Sequence, residues 1–216
     1  MKGLVKKNIL SFGIKLRYIV IFLALLIFVS VVVPIEGFVP MLAYFILVFL
    51  PVIVIVNILD QTNYDDYKSE IILPVRRRDI VIAKYIVYFM VFLFCILVVG
   101  LFLFVNYKMD RIQMLPSERN LVAVGIGMTL LFGGIFFPAI FLFNQKNIKT
   151  ISAASFILTI LPIRLFMEIM RVVWQMESVY DIYKRDEVIW VYLVVCFLFF
   201  VTSCFFSVKI FEKKEF

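Results

Sequence analysis

Asp60-Gln-Thr-Asn-Tyr-Asp-Asp-Tyr-Lys-Ser-Glu-Ile-Ile-Leu-Pro-Val-Arg-Arg-Arg-Asp-Ile-Val-Ile-Ala-Lys-Tyr85 is the one long polar interruption in an otherwise apolar first half of the chain. Each Asp or Arg placed in hydrocarbon costs about 2.5–3.5 kcal/mol even on insertion-derived scales, so this stretch faces water between two membrane spans. Within it, Tyr64, Tyr67 and Ile71 fall near helical spacing, with Pro74 one turn further on, while Asp65, Asp66, Ser69 and Glu70 take the other side. That pattern predicts a short amphipathic helix with an acidic face. Pro74 ends it, because proline cannot continue the hydrogen-bond ladder and pushes Leu73 toward extended geometry. Arg76, Arg77 and Arg78 follow, and Asp79 falls in the first turn of the next helix, where a negative charge suits the dipole.

The rest of the chain fits a membrane setting. Of its 216 residues, 64% are hydrophobic, against roughly 45–50% in soluble domains. The three cysteines, Cys95, Cys196 and Cys204, each lie inside an apolar run and there is no histidine, so neither a disulfide framework nor a Cys/His metal site is readable. Apolar runs occur at Tyr18–Val33, Phe38–Leu59, Ile80–Val105, Leu121–Phe143, Ile148–Ile163 and Val188–Val208. Each is near the roughly 20 residues that a bilayer requires, or reaches it with its flanks. The expectation is an all-α integral membrane protein, a single transmembrane domain of six spanning helices.

Ahead of the first run, residues 1–17 hold Lys2, Lys6, Lys7, Lys15 and Arg17 with no acid, and Val5, Ile9, Phe12 and Leu16 share one helical face. This reads as an amphipathic helix lying in the membrane surface; a secretory signal peptide is the alternative, against which stand the long charged region and the lack of a small-x-small cleavage site. With that end inside, fifteen basic residues fall in cytoplasmic segments and seven on the opposite side. By the positive-inside rule both termini are cytoplasmic, and the net charge of +7 reads as membrane orientation and lipid contact, with no nucleic-acid partner.

Two further patterns stand out. Pro162 is followed by Arg164, Glu168 and Arg171 on one helical face, then by Trp174, Tyr180 and Tyr183, a mixture suited to headgroup level. We read residues 162–187 as an external segment that dips partly into the membrane, with Arg164, Glu168 and Arg171 as a candidate external gate or, alternatively, an interfacial anchor. In the fourth run Gly125, Thr129 and Gly133 recur every four residues, a small-residue stripe that lets another helix approach closely, either within the chain or from a second subunit.

The segment Leu73-Pro74-Val75-Arg76-Arg77-Arg78-Asp79-Ile80-Val81, with Lys84-Tyr85, resembles the Leu-Pro-Val-Ser-Arg-Arg/Lys-Glu/Asp-Ile-Val…Lys-Tyr segment of bacterial ATP-binding cassette (ABC) type-2 permease subunits. It departs at Arg76, where the family usually has Ser, so only the Asp79 half of a capping box remains. Over the whole chain the likeness lies in the number and order of spans. The resemblance implies a bacterial cell-membrane exporter half whose residues 60–79 form a cytoplasmic coupling helix, with Asp60, Tyr64, Asp65, Asp66, Tyr67, Glu70, Arg76, Arg77 and Arg78 docking an ATPase, and a re-entrant external segment between the fifth and sixth spans. It also implies as partners two ATPase subunits, which bind ATP and Mg, and a second permease subunit, identical or paralogous. The chain itself carries no cofactor-binding motif: no Gly-x-x-x-x-Gly-Lys-Ser/Thr loop occurs.

No Asp, Glu or His sits in the middle of any run, so no gradient-coupling relay is legible. Lys84 and Arg164 lie near span ends, where they are expected to snorkel to water, and Asn57 is the one strongly polar inward candidate of the first half. The lack of a histidine base or ligand argues against an intramembrane serine or metal-type protease. The competing class is the membrane-embedded substrate-binding component of a vitamin-uptake transporter, which lacks a long acidic loop after its second span. An aromatic-rich bundle with 25 Phe points to hydrophobic or amphipathic cargo, peptides among them.

Overall fold

The computed structural model describes residues 38–61, 76–108, 116–143, 147–175 and 185–213, which form five α-helices: α1 (Phe38–Gln61), α2 (Arg77–Lys108), α3 (Pro116–Leu142), α4 (Ile148–Val173) and α5 (Asp186–Lys213). No strand occurs among the described residues. At 1.5 Å per residue the helices run about 36–48 Å, longer than the roughly 30 Å hydrocarbon core. Four of them, α1, α2, α3 and α5, are long and apolar enough to cross a membrane. The expected N-terminal surface helix and the first run, Tyr18–Val33, lie outside the described residues.

The charges explain where the helices begin and end. In α1 no charge precedes Asp60, in α2 none lies between Lys84 and Lys108, and in α5 none lies between Glu187 and Lys209. Charged residues therefore cluster at the ends, and the apolar middles are left to protein or lipid.

α3 is the hub. It packs along α5, α1 and α4 and touches α2, while α2 packs along α1 and α5. Its buried residues, among them Met128, Leu130, Leu131, Phe132, Phe136 and Phe137, point in every direction around its axis, as a helix surrounded by others must. By contrast α5 buries one stripe, Val188, Tyr192, Cys196, Phe200, Ser203, Ser207 and Phe211, at spacings of three and four. Its other side, including Trp190, Val194 and Leu198, is exposed for lipid. A second cluster of buried residues, from Val39 to Phe102, belongs to α1 and α2 alone.

Lipid tails are as apolar as leucine, so burial supplies little drive here; close approach and hydrogen bonds must hold the bundle together. A methyl group added at Gly127 would stand 2.2 Å from Tyr192 Cε1, and one at Gly133 would stand 2.4 Å from Tyr88 Cε1. These two glycines let whole tyrosine rings rest on the α3 backbone.

Hydroxyls facing two of the prolines inside helices supply such hydrogen bonds. Pro51 in α1 has no N–H for the carbonyl of Leu47, four residues back; the Thr129 hydroxyl on α3 donates to that carbonyl at 2.8 Å. Pro138 in α3 likewise releases the carbonyl of Gly134, and Ser203 of α5 donates to it at 2.5 Å. Each break in one ladder is thus closed by a hydroxyl from a neighbouring helix, as hydrocarbon requires.

The external segment was read as beginning at Pro162. α4 runs unbroken through Pro162 to Val173, so the first part of that segment is continuous with the fifth apolar run, and α4 is not among the helices long and apolar enough to cross a membrane. Arg164, Glu168 and Arg171 therefore ride on the last turns of the same helix. It stops where Trp174 N–H bonds to the Met170 carbonyl and Gln175 adopts the left-handed conformation, φ 49°. Residues 176–184 lie outside the described set.

Candidate functional site

Of the residues singled out for docking, Arg76, Arg77 and Arg78 are described with their side chains, at the start of α2. Tyr64, Asp65, Asp66, Tyr67 and Glu70 lie outside the described residues, as does the side chain of Asp60, which is in the last turn of α1. The three arginines that follow do different things. Arg76 precedes the helix and is exposed, and its carbonyl accepts the Asp79 N–H at 2.8 Å. That spacing puts Asp79 third from the cap, the acidic position of a capping box. Arg77 is half-buried and donates to the Glu212 carbonyl at 3.4 Å. It thereby places a cation beside the C-terminal end of α5, where the dipole is negative. Arg78 is exposed.

Two turns into α2 the Lys84-Tyr85 pair turns inward. Lys84 does not snorkel to water as expected: it is only 5% exposed, and its Nζ lies 5.8 Å from the centre of the Phe141 ring. The reason is local, since α3 ends beside this turn and its last aromatic, Phe141, packed at a tilt against Phe211 with ring centres 5.1 Å apart, covers the ammonium with a π face. Tyr85, on the adjacent face, stands 2.9 Å from the Ser203 hydroxyl and 2.8 Å from that of Ser207. Its ring packs against Phe137 and Phe200. Because Ser203 also bonds to the carbonyl freed by Pro138, one connected set of hydroxyls ties α2, α3 and α5 together. A second set nearby adds α1: the Tyr88 hydroxyl donates to the Thr129 carbonyl at 2.6 Å while the Thr129 hydroxyl reaches Leu47.

The small-residue stripe on α3 is thereby placed within one chain. Gly125 faces Tyr44 and Leu47 of α1, Thr129 bonds to α1, and Gly133 receives Tyr88 of α2 and Phe200 of α5. Sequence reasoning missed the second face, on which Gly127 meets Tyr192 and Gly134 meets Phe199. It also missed the Tyr85–Ser203–Ser207 node. The available signal was the pair of prolines within apolar runs, each of which demands a hydroxyl partner for the carbonyl four residues earlier.

At the opposite end, Arg164 and Arg171 both pair with Glu168, at 3.2 and 2.9 Å. Arg164 is 72% exposed and Glu168 35%, so these pairs add little stability. Beyond them Arg185 stacks over the Trp174 ring at 5.2 Å, and Arg119 of α3 pairs with Asp186 at the start of α5.

Asn57 bonds back to the Ile53 carbonyl of its own helix at 2.8 Å. The buried polar set among the described residues is Lys84, Asn106, Asn120, Thr129, Ser155, Thr159, Ser203 and Ser207, with no carboxylate in it. The interior can therefore hold helices in register, but the described part offers no acid to relay a proton.

A protein-family model described as ABC-2 family transporter protein matches residues 3–212. No curated protein and no solved structure matches the chain.

Proposed function

The chain belongs to the ABC-2 family of transporter proteins, a multi-pass membrane component of ABC transport, and from that premise we propose that it is the permease half of an exporter driven by separate ATPase subunits. Two such ATPases, binding ATP and Mg themselves, dock on the cytoplasmic segment 60–79, with Asp60, Tyr64, Asp65, Asp66, Tyr67 and Glu70 as the acidic and aromatic face and Arg76, Arg77 and Arg78 behind it. A second permease subunit, identical or paralogous, supplies the other half of the path. The termini face the cytoplasm, and the cargo is hydrophobic or amphipathic, with membrane-active peptides as the first class to test.

One observation supports this reading: the motif residues from Arg77 to Tyr85 lie within α2, whose second and third turns hold Lys84 buried and Tyr85 bonded to α5. A force applied at residues 60–79 is thus delivered to a helix already joined to its neighbours. The two arrangements needed for alternating access are then biased by differential contact with the ATPase dimer. Arg164, Glu168 and Arg171, at the far end of α4, take the external side of the path in this arrangement.

Charge reversal of Asp65, Asp66 and Glu70 tests the docking claim. The variant is expected to lose co-purification with its ABC ATPase subunit, and with it nucleotide-dependent transport, while retaining its own thermal unfolding profile. An intact complex and unchanged transport would overturn the assignment of residues 60–79.

A further inference from the structure

We propose that the exposed face of α4 is a binding site for an anionic phospholipid, with the acyl chains lying in an apolar groove and the headgroup held by Arg164 and Arg171. The groove, about 600 Å³ and open to the outside, is lined by Leu161, Leu165, Ile169 and Val172 with Arg164 and Glu168 at its side. These apolar residues are half to two-thirds exposed. They recur at spacings of four and three, so they form one continuous strip about 16 Å long, the scale of an extended acyl chain.

The charge along the strip selects the headgroup. Glu168 is shared between two guanidiniums, which among the described residues leaves this face of α4 with one positive charge in excess. The carboxylate binds both arginines from between them, so their outer N–H groups stay available, and Arg164 is the more exposed of the two. Guanidinium forks match phosphate oxygens in bidentate fashion. Trp174, 38% exposed and capped by Arg185, closes the same end with an indole of the kind that settles at headgroup level. An apolar strip, a phosphate-matching pair at its side and an aromatic at its end together have the form of one phospholipid, whereas a zwitterionic headgroup would present its own cation to the surplus charge.

Trp174 is also the reporter, because the chain has only one other tryptophan, Trp190. With Trp190→Phe, the full chain is reconstituted in vesicles of phosphatidylcholine containing a minority of either phosphatidylglycerol or phosphatidylcholine with brominated acyl chains, and quenching of Trp174 is measured. Brominated phosphatidylglycerol is expected to be enriched about fivefold at Trp174, the equivalent of roughly 1 kcal/mol for one excess cation, and the enrichment falls as salt rises. Arg164→Gln with Arg171→Gln removes the enrichment, while Glu168→Gln, which unmasks the second guanidinium, increases it. The two changes act in opposite directions, so a general loss of structure cannot imitate both. Equal quenching by the two lipids overturns the proposal. So does protection of Trp174 from both, together with cross-linking of α4 to a second copy of the chain, which would make this face a subunit contact.

Discussion

Replacing Thr129 by Val keeps the branched shape but removes the hydroxyl that serves the carbonyl of Leu47. That carbonyl has no backbone partner because residue 51 is proline. A buried acceptor left unsatisfied costs about 1–3 kcal/mol, while inter-helix hydrogen bonds in membranes average about 0.6 and reach about 1.7 kcal/mol. Thr129 also lies 3.0 Å from the Gly125 carbonyl of its own helix, so part of the hydroxyl's bonding is local and the expected loss is about 1.5 kcal/mol. The decisive measurement is the same substitution in a Pro51→Ala background. Alanine restores an N–H for Leu47, so the carbonyl no longer depends on Thr129, and Thr129→Val should then cost only about 0.5 kcal/mol. The resulting coupling of about 1 kcal/mol is independent of whatever Pro51→Ala does alone. Reversible unfolding of the full chain in mixed detergent micelles measures all four corners of the cycle. Costs for Thr129→Val that agree within about 0.3 kcal/mol in the two backgrounds would show that the threonine is not the proline's complement.

Gly127→Ala should destabilise by about 1–3 kcal/mol, since its methyl would overlap the Tyr192 ring, and part of that loss should return with Tyr192→Leu in thermal unfolding. Gly100→Ala is the control: nothing lies within 4 Å of the added carbon, so it should be neutral or stabilise by up to about 1 kcal/mol, and a cost comparable to Gly127→Ala would discredit the close-approach argument. Tyr85→Phe removes both bonds to the α5 serines and should cost about 1–2 kcal/mol. Ser203→Ala should cost more than Ser207→Ala, because Ser203 also serves the carbonyl released by Pro138; the reverse order in the same assay would refute that hierarchy.

The apolar runs at Phe38–Leu59, Ile80–Val105, Leu121–Phe143 and Val188–Val208 were legible because long uncharged stretches have few other uses in a chain this oily. Their limits were not. Asp79 was read in the first turn of its helix, but Arg77, Lys108, Glu118 and Asp186 are also polar yet helical, since backbone hydrogen bonding continues past the point where side chains reach water, and hydropathy reports only the side chains. At Pro162 the start of the external segment was read, but no local signal told that the helix runs on to Val173. Lys84 misled because the residue that covers it, Phe141, is 57 positions away. The same distance hid the Tyr85 node, for a serine or tyrosine in an apolar run scarcely changes its hydropathy and says nothing of its partner. The stripe of Gly125, Thr129 and Gly133 was readable as close packing; which helices it would meet was not.

α2 is a rigid rod of 32 residues that crosses the whole bundle. Its hydroxyl bonds to α5, at Tyr85, are off-centre: about 12 Å from Arg77 and about 35 Å from Lys108, at 1.5 Å per residue. Were the rod to tilt about that point, a movement of about 1 Å at Arg77 would sweep Lys108 through roughly 3 Å, and the contacts with α1 that run as far as Phe102 would have to slide with it.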